Sequence, residues 1–171
     1  SDVCSSDLLP KTLSGDIYLV LDRLEKPGNL GAALRTADAA GVRGVLLCDP
    51  ICETWNPNAI RASMGAIFTV PIAIGDQDSL WTWFKARGIQ CFAARVEDGN
   101  SCYETRFNSS TAIIIGNEAQ GLEDRWKQSG VHSIHIPMLG KIDSLNASVS
   151  GALLLFEIVR QRSEEHTSEL Q

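Results

Sequence analysis

Short apolar runs rich in β-branched residues alternate along this chain with segments whose apolar residues recur at helical spacing. Because the two patterns follow one another, they predict a mostly parallel α/β sheet with helices on both faces. No repeat or internal linker interrupts the order, which indicates one domain. The predicted strands are residues 17–21, 44–48, 69–74, 90–94, 112–115 and 133–136, and the predicted helices are residues 30–40, 57–63, 78–87, 122–128 and 146–161.

Three of the predicted strand-to-helix junctions are rich in Gly, Asn and ionisable residues. They are the segments 29–35 (NLGAALR), 116–121 (GNEAQG) and 136–146 (IPMLGKIDSLN). Loops that leave the carboxyl ends of parallel strands share one edge of the sheet, and ligands bind at that edge. The sequence therefore predicts that the three junctions form one site.

In the first junction, Asn29 follows a Pro-Gly pair and is expected to cap the next helix by accepting a hydrogen bond from a first-turn amide. Arg35 lies about 9 Å further along the helix axis. Long helical side chains lean toward the helix N-terminus, so this guanidinium could reach back to the mouth of the loop. The pattern fits a solvated surface arginine equally well, and both interpretations remain open.

In the second junction, Glu118 comes directly after a strand that the pattern marks as buried. Gly116 and Gly121 flank it, and glycines allow close approach of the backbone to a ligand or a positive φ. A carboxylate in a loop at the carboxyl edge of a sheet indicates function more than structure. The segment lacks the Lys-Ser/Thr of a phosphate-binding loop, and no dinucleotide fingerprint follows any predicted strand.

The third junction ends a strand at Pro137 and places the polar side chains of Ser144 and Asn146 where the last helix begins. That helix is apolar on nearly all sides until Glu157 and Arg160, so it must be buried on several sides. The pattern fits a central core helix and a helix at a subunit interface equally well.

The two ends of the chain are expected not to belong to the natural protein. Residues 162–171 read RSEEHTSELQ and resemble a translated sequencing adapter. Codons can be chosen for residues 2–8 that form the reverse complement of DNA encoding residues 162–168. We therefore interpret residues 1–8 and 162–171 as adapter artefacts. Residues 9–161 remain as the folded domain, long enough to bury a core.

The formal net charge of the chain is −6, and the two ends carry four of these negative charges, which leaves a nearly neutral domain. Proteins that bind nucleic acids usually carry a basic patch, and no run of Lys or Arg is present. Three explanations stay open: a partner other than nucleic acid, basic residues clustered only in three dimensions, or a binding element that is missing.

The cysteines of the domain form no Cys-x-x-Cys pair and are expected to be buried free thiols. His132 and His135 alternate with apolar residues, which fits a strand edge better than a zinc site. No signal peptide and no apolar run of membrane-spanning length is visible, so the expected location is the cytoplasm.

The three junctions, in this order, resemble the signature motifs of the SpoU/TrmH-type RNA 2′-O-ribose methyltransferases of the SPOUT superfamily. The resemblance covers most of residues 19–161, and the segment 56–66 (NPNAIRASMGA) is also similar to the family. It implies a deep trefoil knot in the C-terminal part, an S-adenosylmethionine site in that knot, and a homodimer formed through the last helix. It implies RNA, more ribosomal than transfer RNA, as the substrate, with no metal.

The resemblance also assigns roles to residues. Arg35 matches the arginine proposed to activate the ribose 2′-hydroxyl, and Asn29 matches the asparagine that orients the nucleotide or that arginine. Glu118 matches the glutamate of the second motif, and Ser144 and Asn146 match the polar pair of the third. The expected cofactor contacts are Ala94, Gly116, Asn117, Ile136, Met138 and Leu145.

One departure from the family is the absence of the N-terminal RNA-binding domain that many relatives carry, and the sequence does not distinguish a natural absence from a truncated fragment. Alternative functions are methylation of transfer RNA and a non-catalytic RNA-binding or scaffold protein on the same fold. A nucleotide-dependent oxidoreductase is disfavoured because the glycine fingerprint is missing.

Overall fold

The computed structural model describes residues 15–168 except 97, 108 and 123. In this part of the chain, seven parallel strands form a single sheet in the order β3-β2-β1-β6-β4-β7-β5. The mostly parallel α/β fold predicted from the pattern is confirmed. The strands are β1 (Ile17–Asp22), β2 (Gly44–Cys48), β3 (Ile72–Gly75), β4 (Gln90–Arg95), β5 (Asn100–Ser101), β6 (Thr111–Ile115) and β7 (Val131–His135).

Four α-helices and a short 3₁₀ helix are present among the described residues. The helices are α1 (Pro27–Ala39), α2 (Pro57–Ser63), α3 (Gln77–Ala86) and α4 (Ala147–Ser168), and the 3₁₀ helix spans Ala66–Phe68. None of these helices is both long enough and apolar enough to span a lipid bilayer.

The helices cover both faces of the sheet because successive strand residues point to opposite sides. In β1, Leu19 and Leu21 face a core that is closed by α1, α2 and α4, with Leu34 and Leu154 fully buried in it. Tyr18 and Val20 face the second core, which α3 closes. The strands are apolar in succession because both faces are covered.

The segment 122–128 was expected to be a helix, and this prediction is wrong. The segment consists of turns, and Trp126 adopts a positive φ of 62° that an α-helix does not allow. Leu122 and Trp126 are buried four residues apart, which imitates a helical face, but each contacts the core below α3 from an irregular loop.

Two boundaries also differ from the pattern. The strand expected at residues 69–74 begins only at Ile72, because Thr69 ends the 3₁₀ helix and Pro71 follows it. Asn29 was expected to cap α1, but Lys26 occupies the N-cap position and Pro27 starts the helix. The fixed φ of proline suits the first helical position, so Asn29 lies inside the first turn and its side chain is available elsewhere.

The expectations for the thiols and histidines are largely confirmed. Cys48, Cys91 and Cys102 are buried free thiols, while Cys52 is only half-buried. Burial raises the pKa of the Cys91 thiol to about 12. His132 and His135 lie in β7, as the alternation predicted.

The expectation for the chain ends stays a prediction. Residues 1–8 lie outside the described residues. The helix α4 continues through residues 162–168, where the Arg162 guanidinium donates hydrogen bonds to the backbone oxygens of Gly15 and Ser109.

Candidate active site

A cavity of about 310 Å³ opens at the carboxyl edge of the sheet. It lies between the ends of β4 and β6, the segment after β7, and the start of α4. All six residues that the resemblance assigned to cofactor contacts line it: Ala94, Gly116, Asn117, Ile136, Met138 and Leu145. Glu118 and Ser144 line it as well.

The wall formed by residues 116–121 is folded tightly on itself. An added Cβ atom on Gly116 would lie 2.4 Å from the carbonyl carbon of Gly121. Gly121 has a positive φ of 60°, and its amide donates to the backbone oxygen of Asn117 at 2.8 Å. The shape of this wall therefore requires glycine at position 116, because any side chain would force the backbone apart.

All hydrogen-bonding positions of the Asn117 side chain are occupied by groups of the protein itself. Its Oδ1 accepts hydrogen bonds from the amides of Ala119 and Gln120, and its Nδ2 donates to the backbone oxygen of Arg23 and to Glu25 Oε1. An asparagine side chain offers two donors and two acceptor positions. Asn117 therefore shapes the wall of the cavity, and its side chain has no hydrogen-bonding capacity left for a ligand.

Asn29, Glu118 and Asn146 bring the three junctions into direct contact. The Asn29 side chain donates through Nδ2 to Glu118 Oε1 and accepts through Oδ1 from Asn146 Nδ2 at 3.1 Å. The second carboxylate oxygen of Glu118, Oε2, is buried and has no hydrogen-bond partner among the described residues. A buried carboxylate oxygen without a partner is costly, so this site suits a ligand that supplies a donor or a positive charge.

Asn146 has a second role at the start of α4. Its Oδ1 accepts hydrogen bonds from the amide and the hydroxyl of Ser148, at 2.9 and 2.7 Å. This is the geometry of an N-cap, which satisfies an otherwise free amide of the first turn. Because the same side chain donates to Asn29, the beginning of α4 is aligned with the beginning of α1.

Arg35 is the one residue of the expected catalytic set for which the structure gives no link to this cluster. It is exposed on α1 and forms no hydrogen bond or ion pair with another described residue. The other members, Asn29, Glu118 and Asn146, are in contact, and Ser144 lines the same cavity as Glu118. The geometry of one chain therefore groups four of the five residues and leaves Arg35 apart.

A cluster of ion pairs below the cavity was missed by sequence reasoning. We define the Asp22 cluster as Asp22, Arg23, Asp49 and Arg125. The fully buried Asp22 carboxylate accepts from Arg23 Nε at 3.3 Å and from Arg125 at 3.2 Å. Arg125 also contacts Asp49. The residues come from three distant parts of the chain, and no motif or periodicity connects them.

The Asp22 cluster overlaps with the one group of possible metal ligands found among the described residues, which is formed by Asp22, Cys48 and Asp49. The Arg125 guanidinium contacts all three. Burial alone would lower the pKa of Arg125, but the hydrogen bonds and charges of Asp49 and Asp22 raise it above its ordinary value. Burial and the charge of Asp22 raise the pKa of the Cys48 thiol. The group is therefore an ion-pair cluster in which the arginine supplies the positive charge.

Arg95 is a second residue that sequence reasoning missed, and it lines the cavity directly. Its guanidinium donates to Ser133 Oγ at 3.2 Å and to the backbone oxygen of Arg125 at 2.9 Å. The signal was present, because a charged residue at the carboxyl end of a buried strand is unusual. Arg95 connects the cavity to the Asp22 cluster.

A sequence model of the SpoU rRNA methylase family matches residues 16–156 of this chain. A curated relative, the 23S rRNA (uridine(2479)-2′-O)-methyltransferase of Streptomyces viridochromogenes, is 30% identical over 156 residues. The alignment covers 88% of this chain and 54% of that relative, so the chain spans about half the length of this relative.

Solved structures of this kind are also similar in fold. The SpoU methyltransferase AviRb from Streptomyces viridochromogenes, in complex with the cofactor AdoMet, has a TM-score of 0.85 and 29% identity, covering 91% of this chain and 61% of that chain. A structure solved to explain 2-OH methylation of C/U34 on tRNA has a TM-score of 0.77 and 30% identity. That alignment covers 86% of this chain and 97% of the other.

Proposed function

This chain belongs to the SpoU rRNA methylase family, and from this membership we propose that it transfers a methyl group from S-adenosylmethionine to a ribose 2′-hydroxyl of RNA. The observation that carries the proposal is the cavity at the carboxyl edge of the sheet. It is lined by every residue that the sequence motifs assign to the cofactor, and the Asn29–Glu118–Asn146 contacts lie beside it.

The residues of the cavity fit S-adenosylmethionine in size and in chemistry. A volume of about 310 Å³ is at the lower end of the range for small-molecule sites. Ile136, Met138 and Leu145 offer apolar contacts for a purine ring. The unpartnered Glu118 Oε2 offers an acceptor for a cationic or hydroxyl group. When bound, S-adenosylmethionine supplies a methyl group on a positively charged sulfur.

The residues around Glu118 would then hold the reacting groups in line. Aligning a hydroxyl with the group it attacks can contribute about 7–11 kcal/mol to lowering the barrier. Asn29 is fixed on one side by Glu118 and on the other by Asn146, so its amide has one orientation. We propose that this fixed amide and the nearby Ser144 orient the ribose at the mouth of the cavity.

The ribose hydroxyl must lose its proton while the new bond to carbon forms. An arginine guanidinium is a poor general base, because it holds its own proton too tightly to accept one from a hydroxyl. We therefore propose that Arg35 stabilises the developing negative charge on the oxygen or holds an RNA phosphate. A guanidinium suits both roles, since it forms strong hydrogen bonds with anionic oxygens.

Ribosomal RNA is the substrate we propose first, because the family and the curated relative are named for it. Transfer RNA is the second candidate. The tRNA-related structure supports it, since that chain matches this one over nearly its whole length. An RNA substrate of either kind is consistent with the cytoplasmic location expected from the sequence.

The activity is tested by incubating the purified chain with S-adenosylmethionine labelled in its methyl group and with bulk RNA. We expect label in the RNA and, after mapping, protection of the methylated ribose from alkaline cleavage. Calorimetry with S-adenosylmethionine alone tests the cofactor separately. Cofactor binding without any RNA methylation would favour the non-catalytic alternative, and absence of both would contradict the proposed function.

We propose that the C-terminal part is knotted, as the sequence motifs imply. Two segments on either side of β7, 116–121 and 136–145, line the same cavity, and β6 pairs with β1 and β4 while β7 lies beyond β4. The meeting of these two segments at one cavity supports the proposal. A crystal structure traced through residues 111–161 tests it: a trace that can be pulled straight from its two ends would contradict the knot.

We also propose a homodimer formed through α4. Val149, Leu153 and Phe156 recur at helical spacing and are 42–48% exposed, which leaves an apolar stripe open on a single chain. Sedimentation velocity should show a dimer for the wild type and a monomer for Leu153→Glu. Ile74→Glu, at an exposed apolar residue of the edge strand β3, is the control and should remain dimeric. A monomeric wild type would contradict the proposal.

A further inference from the structure

The Asp22 cluster joins the carboxyl ends of two central strands to the loop that follows β6. Asp22 ends β1, and Asp49 comes directly after β2. Arg125, which contacts both acids, belongs to the irregular segment between β6 and β7. Buried ion pairs contribute little net stability compared with apolar packing of the same volume. A fully buried carboxylate with two arginines is therefore poorly explained by stability alone.

Backbone strain is concentrated at this cluster. Among the described residues other than glycine, four have a positive φ, and three of them are Arg23, Asp49 and Trp126. Arg23 and Asp49 are members of the cluster, and Trp126 follows Arg125. A left-handed conformation costs roughly 1–2 kcal/mol for a residue with a side chain. Such strain persists where the surroundings determine the conformation, and it is frequent at functional sites.

The cluster is connected to the cavity wall by further hydrogen bonds. The Arg23 side chain donates to Gln120 Oε1 and to the backbone oxygen of Gly121, each at 3.4 Å. In the opposite direction, Asn117 Nδ2 donates to the backbone oxygen of Arg23 at 3.0 Å and to Glu25 at 2.8 Å. The turn that contains residues 23–25 is therefore fastened to the cavity wall at residues 117–121.

The same turn leads directly into α1 and so determines where Asn29 lies. Asn29 in turn donates to Glu118, which belongs to the cavity wall. The cavity wall is thus linked to the first turn of α1 in two ways, through the turn at residues 23–25 and through the hydrogen bond from Asn29 to Glu118. The Asp22 cluster lies beside that turn and includes Arg23. Removing the Arg125 side chain would break its contacts with Asp22 and Asp49, on which the turn at Arg23 rests, but would leave every cavity-lining side chain present.

We propose that Arg125 and Asp22 are positioning residues that hold the wall at residues 116–121 in its binding geometry and align it with the turn that carries Asn29. This proposal rests on the proposed function, since the ligand whose binding depends on the wall is S-adenosylmethionine. Neither residue lines the cavity, so each acts through the loop between them and the ligand.

The test compares Arg125→Met with Lys127→Met. Both substitutions remove an ion pair from the same segment, but Lys127 contacts Asp124 at the exposed surface. Calorimetry should show that Arg125→Met binds S-adenosylmethionine about tenfold more weakly, within the usual range of coupling between sites. Lys127→Met should bind as the wild type does. Arg125→Lys keeps the charge and should recover part of the lost affinity.

Hydrogen exchange separates positioning from general loss of stability. At a temperature where circular dichroism shows each variant folded, Arg125→Met should exchange faster at the amides of residues 117–122, while the amides of α3 remain protected as in the wild type. Uniformly faster exchange across the sheet would mean a structural role and would overturn the proposal.

The failure of this proposal can be told from the failure of the proposed function. If the wild type does not bind S-adenosylmethionine, the proposed function fails. If the wild type binds and Arg125→Met binds equally well, the positioning role is overturned. Should Arg125→Met not fold, Arg125→Lys decides, because the lysine ammonium keeps the charge but cannot reproduce the guanidinium contacts with both Asp22 and Asp49. Arg125→Lys with wild-type affinity and exchange would then overturn the proposal.

Discussion

The site has two sides that differ in how complete they are in a single chain. The proposed cofactor side is the cavity wall at residues 116–121 together with Ala94, Ile136, Met138 and Leu145, and its residues line one cavity. The proposed substrate side is Asn29, Arg35 and Asn146 with the apolar stripe of α4. Here Arg35 forms no hydrogen bond or ion pair with the other two, and the stripe is exposed.

The difference teaches that a single chain already has a cavity at the proposed cofactor side, whereas the residues of the proposed substrate side are not yet brought together. The cofactor side depends on backbone shape, which the chain determines locally through glycines and one asparagine. The proposed substrate side depends on exposed side chains, and we propose that a second subunit or the RNA itself orders them.

The largest effect is expected at Gly116, where the cofactor side has no space. Gly116→Ala would place a Cβ atom 2.4 Å from the carbonyl carbon of Gly121, and the wall would have to open. A displacement of about 1 Å in a site can lower its activity about 100-fold. We therefore expect the affinity for S-adenosylmethionine, measured by calorimetry, to fall by about the same factor. Gly140→Ala is the matched control, since its Cβ would meet nothing within 4 Å. Equal affinity in both variants would show that the wall is not rigid.

Glu118 lies where the two sides meet, and a smaller but still large effect is expected there. Glu118→Ala removes the acceptor that orients Asn29, so we expect the rate of methyl transfer to fall about 100-fold, an effect typical of a positioned catalytic group. Labelled methyl incorporation into RNA measures it. Glu104→Ala, at an exposed glutamate outside the cavity, should keep the wild-type rate. An unchanged rate in Glu118→Ala would remove this residue from the catalytic set.

Arg35 tests the substrate side alone. Arg35→Ala should leave the affinity for S-adenosylmethionine unchanged and lower methyl transfer at least about tenfold, the value of one hydrogen bond to a charged group. If Arg35 stabilises charge, Arg35→Lys should recover activity without changing the shape of the rate against pH. If the rate of Arg35→Lys loses one limb of its pH dependence, that result would instead support Arg35 as a general base. Full activity in both variants would exclude Arg35 from the mechanism.

The sequence predicted those parts of the molecule that depend on local patterns. The strands at residues 44–48 and 90–94 and the helix at residues 57–63 follow from periodicity, and the convergence of the three junctions follows from the rule for parallel sheets. The segment 122–128 was mistaken for a helix because Leu122 and Trp126 have helical spacing, while the left-handed φ of Trp126 has no signal in the sequence.

The Asp22 cluster could not be predicted for a different reason. Asp22, Asp49 and Arg125 are each ordinary loop or strand-end residues, and their contact depends on the order of strands in the sheet. The sequence indicated the strands but not their order. The side-chain role of Asn29 was likewise hidden, because Pro27 moved the start of α1 and released Asn29 toward Glu118.

The smallest effect is expected at the start of α3, which lies on the other face of the sheet and lines no part of the cavity. Asp76 caps this helix, and it accepts hydrogen bonds from the amide and hydroxyl of Ser79, both at 2.8 Å. Asp76→Ala should lower the free energy of unfolding by about 1 kcal/mol and leave affinity for S-adenosylmethionine unchanged. Weaker binding of S-adenosylmethionine by this variant would mean that the affinity follows the overall stability of the protein. The distinction between the two sides would then fail.

The stability that the Asp76 cap contributes should also depend on pH, and this dependence can be measured without changing the cavity. The hydrogen bonds from Ser79 hold the pKa of Asp76 below its ordinary value. A group with a lowered folded-state pKa contributes stability above its unfolded pKa and loses it as pH falls through the folded pKa. The stability difference between the wild type and Asp76→Asn should therefore shrink below about pH 4, measured by urea unfolding. A difference that stays constant with pH would show that the cap acts through its shape alone, since Asn keeps the acceptor but not the charge.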